Sequence, residues 1–413
     1  MPRTVAYGAL GLPVAFAALP VYVYAPKFYA TLGLGLGMAG AVLLFTRVAD
    51  ALVDPWLGRL ADRVRARKRF IAAALAILSP GLIAMFHPPS LGAGGLAVWL
   101  ATSVVLTTLG YSAAVIAYQA WGAALGTPSE RTRIAAAREG FGLVGVVLAS
   151  ILPQAFAPTV EAGLPQTTWA FVAILAVCAW ATLAATPALP ASRPAAAPEE
   201  RAAARAPVLA SPRFRRLLAV FALNGIAAAI PATLFLFFVA DVLALESMSG
   251  AFLALYFVAA AATLPLWVVA AARVGKRNAW LIAMLLAVAV FFWAYFLGRG
   301  DALAFAIIAA ASGIALGADL ALPPALLADS IAADRAHGAE GAYFGVWNLV
   351  TKLNLALAAG LALPALGALG YQPGAADPGP WLAVAYCLAP CALKLAAAAL
   401  LFTSIPAHSE EPR

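Results

Sequence analysis

Long apolar runs recur along this chain, and most of its Lys and Arg residues collect in the short stretches between them. The runs lie at approximately 5–26, 35–57, 70–87, 95–122, 139–157 and 167–187, then at 217–240, 248–272, 278–297, 302–328, 341–368 and 380–403. Each is close to the ~20 residues that a helix needs to cross the hydrocarbon core. None shows the alternation of apolar and polar positions that marks a strand of a membrane barrel. The pattern predicts an all-α membrane protein with twelve transmembrane helices in two pseudo-symmetric six-helix bundles, 1–187 and 217–405. A Pro-, Ala- and Arg-rich central loop, 188–216, joins them, and a tail, 406–413, follows.

The basic residues fix an orientation. Arg59, Arg63, Arg65, Arg67, Lys68 and Arg69 fall between helices 2 and 3, and Arg131 and Arg133 between helices 4 and 5. Arg193, Arg201, Arg205, Arg213, Arg215 and Arg216 fall in the central loop, and Arg273, Lys276 and Arg277 between helices 8 and 9. The intervening loops hold only Lys27 and Arg299. Basic loops stay on the cytoplasmic side, so both termini and the central loop are expected there, in a cell's inner (plasma) membrane. A missed span would break this alternation. There is also an internal echo: DPWLGRLADRVRARKRF (54–70) and LPLWVVAAARVGKRNAW (264–280) each end the second helix of a half. Repeats of this kind mark duplicated transporter bundles.

Composition narrows the classes. Hydrophobic residues make up 64% of the 413 and charged residues 11%, against roughly a quarter charged in soluble proteins. In so apolar a chain the net charge of +8 points to loops facing anionic lipid rather than to nucleic acid. The N-terminal run lacks a small-residue cleavage site and reads as a retained helix. Cys178, Cys387 and Cys391 all fall in apolar runs and read as core residues; the i, i+4 spacing of the last two leaves soft-metal binding as the minor alternative. No phosphate-binding loop occurs, which argues against direct coupling to ATP.

Charges within a span are costly, ~2.5–3.5 kcal/mol each on insertion scales, so they form a short list of candidates. In helix 2, Arg47, Asp50 and Asp54 share one face. Two carboxylates one turn apart repel unless a cation lies between them, which suits a Na⁺ or H⁺ site; a structural ion-pair network is the alternative. Lys352 falls mid-span in helix 11 beside Trp347, Asn348, Thr351 and Asn354, and the helix 2 acids are its expected partners. Asp319 in helix 10 precedes Pro323 and Pro324, which are expected to break that helix and free carbonyls for ions or solute. Asp329 and Asp334 lie near the cytoplasmic end, solvated or paired with Arg335. Tyr22 of helix 1, Tyr118, Gln119 and Trp121 of helix 4, Arg138 of helix 5, Asn224 of helix 7 and Tyr256 of helix 8 complete the candidate solute contacts, with interface or packing roles as the alternative for the aromatics. Asp62, in the basic turn after helix 2, can latch neighbouring helix ends.

At these residues the chain resembles the major facilitator superfamily, in particular its glycoside-pentoside-hexuronide:cation symporter branch, typified by melibiose permease. RVADALVDPWLG carries that branch's helix 2 signature as Arg47, Asp50, Asp54, Pro55 and Gly58. YQAWGAALGTPSERTRIAAAREGFG (118–142) and ALLADSIAADRAHGAEGAYFGVWNLVTKLNLALAAG resemble its helix 4–5 and helix 10–11 segments. The resemblance implies the major facilitator fold. It also implies that Asp50 and Asp54 are cation-site carboxylates, that Lys352 neighbours them and that Arg138 lies near the solute. The chain departs from the sugar-carrying members: helix 1 has no acid between Val5 and Tyr24, and helix 4 none between Val98 and Gly122. Val115 and Gln119 stand where an acid and a sugar-stacking tryptophan are expected.

The expectation is a secondary active transporter and not an enzyme: an H⁺- or Na⁺-coupled symporter of a small organic solute, monomeric in the bilayer, with no cofactor and no resident metal. An amphipathic or lysolipid-like solute, a copper importer, and a receptor or assembly factor on the same fold are the alternatives.

Overall fold

A computed structural model describes residues 3–34, 36–64, 66–125, 128–187, 207–371 and 379–404, apart from the side chains of a few residues within these helices. Most of the central loop expected at 188–216, and the tail from 405, lie outside the described residues.

The described chain is helical throughout, in the expected order. Span α1 is built from Arg3–Gly8, Gly11–Leu19, a π-helical turn Pro20–Tyr24 and Ala25–Thr31. Then come α2 (Leu36–Arg63), α3 (Arg67–Phe86), α4 (Ala93–Leu125), α5 (Pro128–Phe156) and α6 (Val160–Ala185). The second series is α7 (Pro212–Phe237, continued by Phe238–Val242), α8 (Ser249–Val274), α9 (Lys276–Phe291, ending in Phe292–Phe296), α10 (Ala302–Ala333), α11 (Glu340–Ala368) and α12 (Gly379–Ala383, Val384–Leu388 and Ala389–Ser404). Among the described residues, nine helices are long and apolar enough to cross a membrane. Large apolar side chains such as Phe45, Trp56, Trp180 and Leu303 point outward, as lipid allows and water does not.

The element boundaries have local causes. Thr159 caps α6 by accepting from the Ala162 N–H at 3.3 Å, and Ser211 caps α7 by accepting from that of Phe214 at 3.1 Å, with Pro212 at the first helical position. The interruption in α1 is satisfied from outside: Thr182 of α6 accepts from the Leu10 N–H (3.1 Å) and donates to the Ala6 carbonyl (2.8 Å). Backbone at membrane depth needs such a substitute partner. One sequence expectation is corrected here. Pro323 and Pro324 do not break α10, which runs on to Ala333 with both prolines inside it; neighbouring helices tolerate an internal proline in a span when they cover the freed carbonyls.

The chain divides into two compact units, Met1–Arg205 with Arg335–Leu349, and Ala206–Asp334 with Val350–Arg413. In the first, α3 and α4 meet closely at Gly81 and Gly110, where an added Cβ would lie 2.6 Å from the Thr107 nitrogen and 2.5 Å from that of Leu78. Helix α5 meets α1 at Gly145 in the same way. In the second, Gly313 of α10 packs on the Tyr256 carbonyl of α8, and Phe238 stacks on Tyr386 at 4.2 Å within a core that includes Leu234, Phe252 and Phe305. Small residues at helix crossings are what membrane packing requires, because lipid supplies no hydrophobic drive between helices.

A Cβ on Gly145 would stand 2.0 Å from the Leu12 carbonyl oxygen, a backbone atom that cannot swing away. Gly145→Ala should therefore destabilise the first unit by roughly 1–3 kcal/mol, read as a lower midpoint of thermal unfolding in detergent. An unchanged midpoint would show that α1 and α5 do not approach this closely.

Candidate functional site

Asp50 and Asp54 sit one turn apart on the inner face of α2, 7% and 0% exposed. The Ser112 hydroxyl of α4 donates to Asp50 Oδ1 at 2.9 Å. Gly345 of α11, in the same unit, has no side chain where one would lie 2.6 Å from the Asp54 carbonyl oxygen, so α11 runs directly against this part of α2. Trp347 is buried there and Asn348 half-buried. Thr351 and Lys352 come after the division of the chain at Leu349 and belong to the second unit, Thr351 exposed and Lys352 half-buried. The Arg47 and Tyr22 backbones are helical, but their side chains lie outside the described residues.

A second polar centre joins α1, α4 and α5. Tyr7 donates to the Tyr118 carbonyl at 2.8 Å, and the Tyr118 hydroxyl donates back to the Tyr7 carbonyl. The two rings lie 4.4 Å apart, with Trp121 edge-on to Tyr7 and the Lys68 ammonium 5.7 Å from the Trp121 ring centre. Tyr118 and Trp121 are thus packed within the first unit. Arg138, 8% exposed, donates through Nε to Glu139 Oε1 at 2.9 Å, beside both phenols. Gln119 is half-buried, and its Oε1 has no hydrogen-bond partner among the described residues. The sequence reading passed over Glu139, although an Arg-Glu pair inside an apolar run is itself a signal.

The third centre lies in the second unit. Asp319 of α10 accepts from three helices: Lys394 Nζ of α12 at 2.7 Å on Oδ2, Trp280 Nε1 of α9 at 2.7 Å on Oδ1, and Asn224 Nδ2 of α7 at 3.1 Å on Oδ1. Tyr256 of α8 lies close enough to interact with the Asp319 charge. Gly225 leaves room for the Asn354 amide of α11 against α7. The structure thereby brings together Asn224, Tyr256 and Asp319, which the sequence proposed separately. Lys394 was missed; it stands alone in the last apolar run, and the rule that singled out Lys352 applies to it equally.

At the helix ends that carry the basic residues the acids are tied to named donors. Lys276 pairs with Asp329, and Arg213 with Asp334 at 3.1 Å. Asp62, beyond the apolar run of α2, accepts from the backbone N–H groups of Gly341 (2.7 Å) and Ala342 (2.8 Å) at the start of α11. A carboxylate at a helix N-terminus meets unsatisfied donors and the positive end of the dipole. Arg67 completes the cluster, 2.7 Å from Glu340 and 3.7 Å from Asp62. Burial nevertheless dominates and pushes the Asp62 carboxyl up to about 7, with Glu340 raising it further and the two N–H groups and Arg67 opposing.

The site and the twelve-helix order can now be compared with known proteins. The model of the MFS/sugar transport protein family matches residues 6–406. The chain belongs to that family. Its members are transporters, not enzymes. The inner membrane symporter YicJ of Escherichia coli (strain K12) is 30% identical over 138 residues, a stretch that spans 32% of this chain and 30% of YicJ's own length. The E. coli fucose:proton symporter FucP superposes with a TM-score of 0.72 at 14% identity, covering 96% of this chain and 98% of that one. A bacterial homologue of the iron transporter ferroportin, in an outward-facing state, superposes with a TM-score of 0.70 at 16% identity, covering 97% of this chain and 98% of that one. These two likenesses establish the fold.

A carboxyl held higher in the folded protein than its ordinary 3.8 binds its proton more tightly when folded. Its contribution to stability is therefore complete in acid and is lost as pH rises through about 7. The thermal midpoint of the wild type, measured relative to Asp62→Asn, should fall between pH 5 and pH 8. A difference that does not change with pH would refute the raised carboxyl.

Proposed function

We propose that the chain is a cation-coupled symporter of a small organic solute that works by alternating access, the two bundles rocking about a midplane site. The observation that carries this reading is the pair Asp50 and Asp54, both buried and one turn apart on a helix of a membrane bundle. Two carboxylates one turn apart on a buried face repel, so binding H⁺ or Na⁺ between them lowers that repulsion and is electrostatically linked to what else enters the site. In this reading Lys352 and Arg47 are the protein's own cations near that site, engaged or released as the ion comes and goes. The similarity to the symporters YicJ and FucP supports coupling to an ion.

The candidate solute contacts in this proposal are Arg138 and Gln119 in the first unit and Asn224, Tyr256 and Asp319 in the second, while Tyr118 and Trp121 are packed against α1. Both termini face the cytoplasm of the inner membrane, by the loop charges.

The test is gradient-driven uptake into proteoliposomes, using a solute selected by thermal-shift screening with and without Na⁺ at two pH values. Asp54→Asn should abolish accumulation against the gradient while leaving a folded, monodisperse protein. Accumulation that persists unchanged would remove the coupling role from α2.

A further inference from the structure

Helix α2 has two faces of opposite character. Asp50, Asp54, Leu57 and Ala61 are buried along one side. Phe45, Leu52 and Trp56 line the other, 77%, 63% and 69% exposed. At about 3.6 residues per turn, this apolar stripe runs on into Arg59 and Arg63, both exposed and one turn apart at the end of the helix. The two arginines are placed differently from other cations of the chain. Arg67, Arg138, Arg213, Lys276 and Lys394 each meet a carboxylate. Arg59 and Arg63 meet none among the described residues. Asp62, which lies between them in sequence, is turned instead to the Gly341 and Ala342 amides and to Arg67. The Arg59 guanidinium lies over the Trp56 ring, 4.6 Å from its centre, and its Nε donates to the Pro55 carbonyl at 3.3 Å. Those contacts use one face and one N–H of the guanidinium. The four N–H groups on its terminal nitrogens have no acceptor among the described residues.

We propose that Trp56, Arg59 and Arg63 form a binding site for an anionic phospholipid of the surrounding bilayer. The phosphodiester accepts from the two guanidinium groups, and an acyl chain lies along Trp56, Leu52 and Phe45. A guanidinium fork matches phosphate oxygens, and a tryptophan ring suits the boundary between headgroup and hydrocarbon. Stacking on Trp56 holds the Arg59 fork in place before the lipid arrives, which lowers the entropy lost on binding. The cationic end continues directly into an apolar stripe, and a free phosphate could use only the first of these. A zwitterionic headgroup is disfavoured as well, because its own ammonium returns the positive charge that its phosphate neutralises. The site lies on the side of α2 opposite Asp50 and Asp54, so the proposal is independent of the symport reading.

The experiment places the full chain in nanodiscs of phosphatidylcholine and phosphatidylglycerol in equal amounts, with brominated acyl chains on one lipid or the other. Bromine quenches a tryptophan that it touches. The chain has 10 tryptophans, and the Trp56 signal is isolated by subtracting that of Trp56→Phe. Brominated phosphatidylglycerol should quench Trp56 more strongly than brominated phosphatidylcholine. Arg59→Gln and Arg63→Gln should each lower that preference about fivefold, the usual contribution of one basic residue at an anionic surface, and the double variant should abolish it. Both positions are exposed, so an unchanged thermal midpoint is expected and checks that the variants are folded. Arg69→Gln removes the same charge from an exposed position at the start of α3, and should leave the preference as it is. Equal quenching by the two lipids in the wild type would overturn the proposal. A loss in Arg69→Gln as large as in Arg59→Gln would also overturn it, by showing a diffuse basic surface in place of a site. Inorganic phosphate that removes the preference, where chloride of equal ionic strength does not, would mean an anion site without lipid recognition and would overturn it too.

Discussion

An ionised side chain surrounded by hydrocarbon must be neutralised or partnered, and the interior of this protein is organised around that requirement. Among the described residues, Arg138 pairs with Glu139 in the first unit and Asp319 with Lys394 in the second. The pairs differ in construction. Arg138 and Glu139 are neighbours on α5 and lie beside the Tyr7 and Tyr118 phenols of α1 and α4. Asp319 and Lys394 come from α10 and α12, and with Trp280 and Asn224 they tie four helices to a single carboxylate. Asp50 and Asp54 place two carboxyl groups one turn apart on one buried face of α2, with the Ser112 hydroxyl donating to Asp50.

The helices can bring these groups together because they pack on glycine. At Gly110, Gly145 and Gly313 the neighbouring backbone comes closer than any side chain would permit. Close approach places short polar side chains such as Ser112 and Asn224 within reach of a carboxylate on another helix. It also makes dispersion contacts dense enough to hold spans together without help from water. The interruption of α1 follows the same logic, with Thr182 supplying from the side what the helix itself gives up.

Charge at the basic helix ends serves a different purpose. Asp62 engages the N-terminal amides of α11 while Arg67 holds Glu340. Two elements nearly three hundred residues apart in sequence are joined by one carboxylate and one guanidinium. These groups are largely buried, and the raised proton affinity of Asp62 makes their contacts sensitive to pH.

The number of spans, their order and the short list of intramembrane charges were legible in the sequence, because hydrocarbon imposes a length on every helix and a penalty on every charge that a linear reading can count. The face shared by Asp50 and Asp54 was legible for the same reason: both lie on one helix, whose period is known. Which charges meet across helices was not. Lys394 stands 75 residues from Asp319, and nothing local in either segment announces the other. Proline was also misleading, since the sequence shows the missing N–H of Pro323 and Pro324, yet α10 continues through both. The sequence determined that this protein lies in a membrane and where its costly residues are. Only the tertiary structure decided how those residues are paired, because pairing depends on helix crossings, and crossings depend on glycine contacts between distant segments.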